Sequence, residues 1–301
     1  MTLRSRPGTG GGTIGTGPVR GPSDTQIGGR TMRESTLSVP GARLRHTVRG
    51  EGPVLLLIAG GHHGIDAVEP LARHLADRYT VVGYDRRGLS GSTTDAPAKT
   101  LATHAEDASR LLRSLTPEPA LVYGTSLGAL VALELTTRHP EQVAAVVAHE
   151  PPVVRLLPEP GQGIGRLLAV EETFRAQGAE AAMRGFAAGL GIDPADSEPD
   201  LPPRAPGPDR LRNMEVLLTY DLPAIRAHVL DPAALAGSPV RIVAAAGEKS
   251  GHLWTYRCAA LLAGVLGTRL ETFPGGHNGY VFRPRATADR IHEVLGVTRR
   301  T

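Results

Sequence analysis

The chain is predicted to fold as an α/β protein, a doubly wound and mostly parallel sheet with an inserted helical segment. Three observations predict it. Runs that are apolar throughout, such as Val54-Leu55-Leu56-Leu57-Ile58 and Val143-Ala144-Ala145-Val146-Val147-Ala148, have the length and continuity of strands buried on both faces. Helical patterns separate these runs at the spacing of strand–helix–strand units. After Glu150-Pro151-Pro152 that rhythm breaks, and only helical patterns follow until about residue 237.

Residues 1–33 are rich in Gly, Thr, Pro, Ser and Arg and hold almost no large apolar side chain, so they are expected to be disordered. Met32 reads as an alternative start of the chain. Thr36 to Arg49 alternates as one or two edge strands, with Leu37, Val39, Leu44, His46 and Val48 on the half-buried side. Pro53 to Ala59 is a buried strand ending in Gly60-Gly61-His62-His63-Gly64, followed by a helix over about 67–78. Thr80 to Tyr84 is the next strand. Asp85 to Ser92 is a turn-rich loop, and a helix follows near 101–115. Ala120 to Tyr123 and Val143 to Ala148 are two further strands.

The sheet is expected to occupy 34–152 and 237–301, and the helical insertion 153–236. Within the insertion, helices are expected at 167–177, 179–190 and 210–218, with a Pro- and Asp-rich stretch at 193–208. The sheet resumes at Pro239 to Ala245. A helix near 253–266, a short strand at 269–273, a Gly-rich loop at 274–280 and a helix at 286–295 complete the chain. With 301 residues, 41% of them hydrophobic, there is enough apolar surface for one large core and such an insertion.

Between the strand ending at Tyr123 and the helical run from Ala129 lies Gly124-Thr125-Ser126-Leu127-Gly128. Gly-x-Ser-x-Gly at a strand-to-helix turn marks a nucleophile elbow. A serine there sits in strained backbone space, and glycines two positions away remove the clashes its neighbours would make. The competing reading is a helix-capping serine.

With Gly60-Gly61, the Asp85-Arg86-Arg87-Gly88 to Ser92 loop and Gly276-His277, these residues give a chain that resembles the alpha/beta-hydrolase superfamily over about 36–297. The resemblance implies a serine hydrolase with a helical cap, acting on a small ester-like bond (ester, lactone, thioester or activated carbon–carbon bond) through an acyl-enzyme. It implies Ser126 as nucleophile and His277 as base, with His252 the only other base at a suitable place in the order Ser, acid, His. The family's commoner acid position is Ser250 here, a departure. Its alternative position, after the preceding strand, is Glu150, and Glu248 is the second candidate. The resemblance also implies an oxyanion hole from the backbone N–H groups of Leu127 and Gly61, with His62 the donor if the loop shifts by one residue. Asp85 and Arg86 correspond to a salt-bridged structural turn.

Other classes have less support. Five Arg and one acid, Asp24, give residues 1–33 a charge of +4, so the rest of the chain totals −1 of the overall +3. The globular part is close to neutral, and no nucleic-acid partner is expected. No run approaches the ~18 apolar residues of a membrane span. A single cysteine, Cys258, allows no internal disulfide and points to a cytoplasmic setting. Gly10 to Gly12 follow no strand, so no dinucleotide is expected, and His62-His63 with Asp66 reads as loop rather than metal site. No cofactor is expected, and the partner is a small-molecule substrate. The alternative function is a non-catalytic ligand receptor or scaffold, which the Ser250 departure would allow.

Overall fold

The apolar runs become the middle of one sheet. The computed structural model describes residues 23–27, 30–96, 100–202 and 205–296. Its strands are β1 (Ser23–Ile27), β2 (Arg30–Val39), β3 (Ala42–Arg49), β4 (Val54–Ile58), β5 (Thr80–Tyr84), β6 (Thr93–Thr94), β7 (Ala120–Thr125), β8 (Val143–His149), β9 (Arg241–Gly247) and β10 (Glu271–Phe273). Their order is β1-β2-β3-β5-β4-β7-β8-β9-β10, with the short β6 paired to β3. From β5 to β10 the pairing is parallel, and β1, β2 and β3 add antiparallel.

Between the strands run α1 (Ile65–Leu75), α2 (Leu101–Leu115) and α3 (Leu127–Arg138). After β9 come α9 (Trp254–Leu266), the short α10 (Gly279–Phe282) and α11 (Pro284–Leu295). Alternation sorts each central strand between two cores. Leu56, Ile58, Val82, Val122, Val146 and Ile242 face α2, α3 and α9. Leu55, Leu57, Val81, Tyr123, Val147 and Val243 face α1 and α11. The lone Cys258 is fully buried in the first core. No helix among the described residues is long and apolar enough to cross a membrane.

Two expectations need correction. Ala42–Arg49 is not an edge strand, because β3 is hydrogen-bonded to β2 on one side and to β5 and β6 on the other, whereas residues 36–39 of β2 pair with β3 alone. Alternation reports which face of a strand is buried and says nothing of how many sides are paired. Of residues 1–33, expected to be disordered, residues 1–22 and 28–29 lie outside the described residues. Ser23–Ile27 and the start of β2, however, form a strand pair. A strand pair is joined by main-chain hydrogen bonds, which do not depend on large apolar side chains.

Between β8 and β9 the described residues form helices and loops only: α4 (Pro160–Gln177), α5 (Ala179–Gly189), α6 (Arg210–Val216), α7 (Leu222–Ala227) and α8 (Pro232–Ala236). The helix expected at 210–218 continues instead through a π-helical turn, Leu217–Asp221, into α7. Pro223 explains it. Without an N–H it cannot donate to the carbonyl four residues back, and the ladder widens so that Leu222 N–H donates to Leu217 O.

Candidate active site

Ser126 stands between β7 and α3 at φ 53°, ψ −122°, a left-handed conformation that non-glycine residues rarely adopt. Its N–H donates to His149 O across the sheet at 2.8 Å, which helps hold the turn. The flanking glycines are required by contact. A Cβ at Gly124 would lie 2.4 Å from Gly128 O, and one at Gly128 would lie 2.1 Å from Ile58 O. Both obstacles are backbone. Gly128→Ala is therefore expected to lower folding stability by at least about 3 kcal/mol. Gly161→Ala, where a Cβ meets nothing within 4 Å, should leave stability unchanged or slightly raised. Urea denaturation of both variants checks the pair, and equal midpoints would show that the elbow yields to the added methyl.

His277, in the loop after β10, and Glu150, one residue past β8, are brought together. Nδ1 of His277 is 2.6 Å from Glu150 Oε2, with the imidazole 2% exposed and the carboxylate fully buried. Glu150, at φ 47°, has both oxygens engaged. Oε1 accepts Gly247 N–H at 2.9 Å, and Oε2 also accepts the Thr255 hydroxyl at 2.8 Å. Burial alone would raise the Glu150 pKa, but its hydrogen bond to His277 and nearby imidazole charge hold it well below the usual carboxylate range.

The other acid candidate lies elsewhere. Glu248 accepts Gly275 N–H at 3.1 Å and so shapes the loop leading to His277. Ser250 is fully buried beside Glu150, and its hydroxyl helps to hold that carboxylate's pKa down. The end of β9 thus contributes a main-chain N–H to Glu150 rather than a carboxylate.

His149 is enclosed by Tyr123 and Phe273, with ring centroids 6.5 and 5.7 Å away. Burial pushes its pKa down from 6.5 to about 4. As pH falls through that window the unfolded chain takes up a proton that the folded one refuses, so stability falls by up to about 3 kcal/mol. His62, also pushed to about 4, chiefly by burial, adds a slope of the same sign. His149→Phe is expected to reduce the loss in urea midpoint between pH 7 and 4.5. An unaltered slope would mean that His149 is charged in the fold.

The loop after β4 lies against the elbow. A Cβ at Gly60 would meet Thr125 O at 2.8 Å and Ser126 Cβ at 2.9 Å. Gly61, at φ 53°, lines a small recess together with Ser126 and Leu127. Leu127 opens α3, so its N–H has no acceptor within the helix. The neighbouring His63 places Nδ1 2.6 Å from Tyr280 OH, tying this loop to the short helix after His277. Asp85, fully buried, accepts Ile65 N–H at 2.8 Å, Gly91 N–H at 3.1 Å and Arg45 Nη1 at 3.1 Å. It thereby joins the start of α1 to its own loop.

Ser126 and His277 line one cavity of about 390 Å³. One wall is Gly60 to Gly64; the facing wall, with Met183, Phe186, Leu190 and Leu217, comes from the helical segment between β8 and β9. Among the described residues no hydrogen bond joins the Ser126 hydroxyl to His277. Without substrate such contacts are often long and close only around the reacting group.

Several residues of the site have no signal in the sequence. Thr255 is one. Asn213 on α6 is another: it accepts Ser90 N–H at 2.9 Å and donates to Ser90 Oγ at 2.8 Å and His62 O at 3.3 Å. Asp221, the buried partner of Arg86 135 residues away, is a third.

Residues 53–186 match the family model described as alpha/beta hydrolase fold. Over 272 residues the chain is 37% identical to the uncharacterized hydrolase YraK of Bacillus subtilis, a match covering 88% of this chain and 97% of that protein. A shorter match, 32% identical over 100 residues, joins it to the 2-(acetamidomethylene)succinate hydrolase of Mesorhizobium japonicum, covering 33% of this chain and 36% of that one. Among solved structures, naproxen esterase (carboxylesterase NP) from Bacillus subtilis superposes with a TM-score of 0.66 at 17% identity, over 88% of this chain and 91% of that chain. That last likeness is one of fold alone. The match to YraK spans nearly the whole of both chains, and with the family model it shows that this chain belongs to the alpha/beta hydrolase family and is a hydrolase.

Proposed function

We propose that this hydrolase cleaves a small ester-like bond through an acyl-enzyme on Ser126. The observation that carries the reading is the buried 2.6 Å contact between His277 and Glu150, at the cavity that Ser126 also lines. A serine hydroxyl is a weak nucleophile at neutral pH and needs a base that takes its proton as it attacks. With Nδ1 held by Glu150, the lone pair of His277 Nε2 is free for that proton, which then passes to the leaving group. Glu150 stabilises the imidazolium that forms between the two transfers. The oxyanion of the tetrahedral intermediate is held by the Leu127 and Gly61 N–H groups. Water, deprotonated by His277, then attacks the acyl carbonyl, and the acid leaves with Ser126 restored.

The apolar wall supplied by Met183, Phe186 and Leu190 suits an uncharged acyl or leaving group, and the helical segment serves as a cap over it. An ester, lactone, thioester or activated carbon–carbon bond meets the same machinery. A receptor reading drew on the missing carboxylate at Ser250, and the Glu150 contact removes that motive. The test is covalent. A fluorophosphonate probe should label the protein at Ser126, mapped by mass spectrometry, and p-nitrophenyl acetate should give a burst of one p-nitrophenol per chain. The absence of both label and turnover would overturn the proposal.

A further inference from the structure

Ser126 borders two spaces of very different size. One is the cavity of about 390 Å³. The other is a recess of about 10 Å³, which it shares with Gly61 and Leu127. A void of that volume holds roughly one group the size of a water molecule. Its walls include Leu167 on α4, Ile225 on α7 and Trp254, the first residue of α9. Leu167 and Ile225 are buried in the core that also holds α3, and Trp254 packs against it. Widening the recess therefore means displacing side chains packed at interior density. A methyl group enters with slight adjustment, and a chain of several methylenes does not.

The chemistry assigns the two spaces to the two halves of a substrate. In the tetrahedral intermediate the attacked carbon has four bonds: to Ser126 Oγ, to the oxyanion, to the leaving atom and to the acyl substituent. The oxyanion goes to the N–H donors. The leaving atom takes its proton from His277, so it lies on the His277 side. That side is the large cavity, which His277, Asn278 and Phe282 line. Among the described residues, the recess borders neither His277 nor the loop that carries it. Its leucine and isoleucine walls give no hydrogen bond, so they suit carbon rather than charge. The recess is the place left for the acyl substituent.

We propose that the substrate is an open-chain ester or thioester of a very short acid, formic or acetic, with a bulky alcohol or thiol: the acyl group seats in the recess and the leaving group fills the large cavity. The inference rests on the acyl-enzyme reading and deepens it. In the first step the bond from Ser126 Oγ to the carbonyl carbon forms and the bond to the leaving oxygen or sulfur breaks. The alcohol or thiol departs with the proton held by His277. Water then cleaves the short acyl group from Ser126 as formate or acetate. The size of the recess thus sets the acid, and the apolar wall with Met183 receives the alcohol or thiol.

The test uses the full chain and two isomeric esters, hexyl acetate and methyl heptanoate. They share one molecular formula and differ in which side of the ester bond carries the long chain. Release of acid is followed by pH-stat titration. Wild type should cleave hexyl acetate with a kcat/KM at least about 30-fold above that for methyl heptanoate, since even one methylene too many in a filled pocket costs about tenfold or more. Trp254→Ala and Ile225→Ala each enlarge the recess and should narrow that ratio by about tenfold. Trp254 is only half-buried, so its variant is the milder test of the fold, and melting temperatures accompany both. Overturning results are a wild-type ratio near one, a preference for methyl heptanoate, or folded variants that keep the wild-type ratio. Should neither variant fold, the wild-type ratio alone decides. If wild type labels at Ser126 and the ratio is flat or reversed, this inference alone fails. If wild type neither labels nor turns over, the acyl-enzyme reading fails and this falls with it.

Discussion

Exchanging Ser126 for alanine is expected to lower kcat for p-nitrophenyl acetate by about 10³- to 10⁶-fold and to abolish both the burst and fluorophosphonate labelling. The size follows from what is lost. Without the hydroxyl no acyl-enzyme forms, and water must attack directly with help only from the oxyanion donors and from binding. The fold should survive, because alanine can follow the same backbone path and the glycines that relieve the elbow remain. His277→Ala should cost about as much, and the double variant little more, since nucleophile and base act as one unit. Stopped-flow turnover at substrate saturation, with melting temperatures as the control, decides it. Retention of a tenth of wild-type kcat by Ser126→Ala would remove Ser126 as the nucleophile.

Glu150→Gln should cost about 10³- to 10⁴-fold in kcat, and Glu248→Gln no more than about threefold. The glutamine is nearly isosteric. Its carbonyl can still accept from Gly247 N–H or Thr255, but its amide then turns an N–H toward His277 Nδ1, where the carboxylate oxygen stood at 2.6 Å. Nδ1 must then accept, which moves the imidazole proton to Nε2. A nitrogen bearing a proton cannot take one from Ser126, and the imidazolium has lost its counter-charge. Glu248 makes its contact to Gly275 N–H, so its amide variant changes only the loop. The ratio of the two losses is the measurement. A larger loss at Glu248 would place the acid on β9 after all.

Much of this was readable before any coordinates, and the readable part is local. The all-apolar run Val54–Ile58 and the alternation of Ala42–Arg49 reveal burial, because a strand's two faces repeat every second residue. The elbow was legible because its strain and both relieving glycines lie within five residues. His277 was legible from chain order and its Gly-rich loop. Glu150 stood first among two acids on order alone, and the contact with His277 came from the structure.

The illegible part depends on contacts between distant segments. Whether β3 had one or two partners depends on where the hairpin docks. That Gly247 and Thr255 would hold Glu150 depends on β8 and β9 being neighbours. Arg86 read as part of a salt-bridged turn, but no spacing could name Asp221 as its partner. That choice is made when the segment between β8 and β9 folds back over the sheet and Pro223 forces a π turn at its base. The sequence by itself determined the alternating architecture, the strained Gly-x-Ser-x-Gly turn and the loop of His277, since periodicity and steric demands act over a few neighbouring residues. Only the tertiary structure decided which carboxylate meets His277 and which one pairs with Arg86, since a buried charge takes the partner that packing brings within reach.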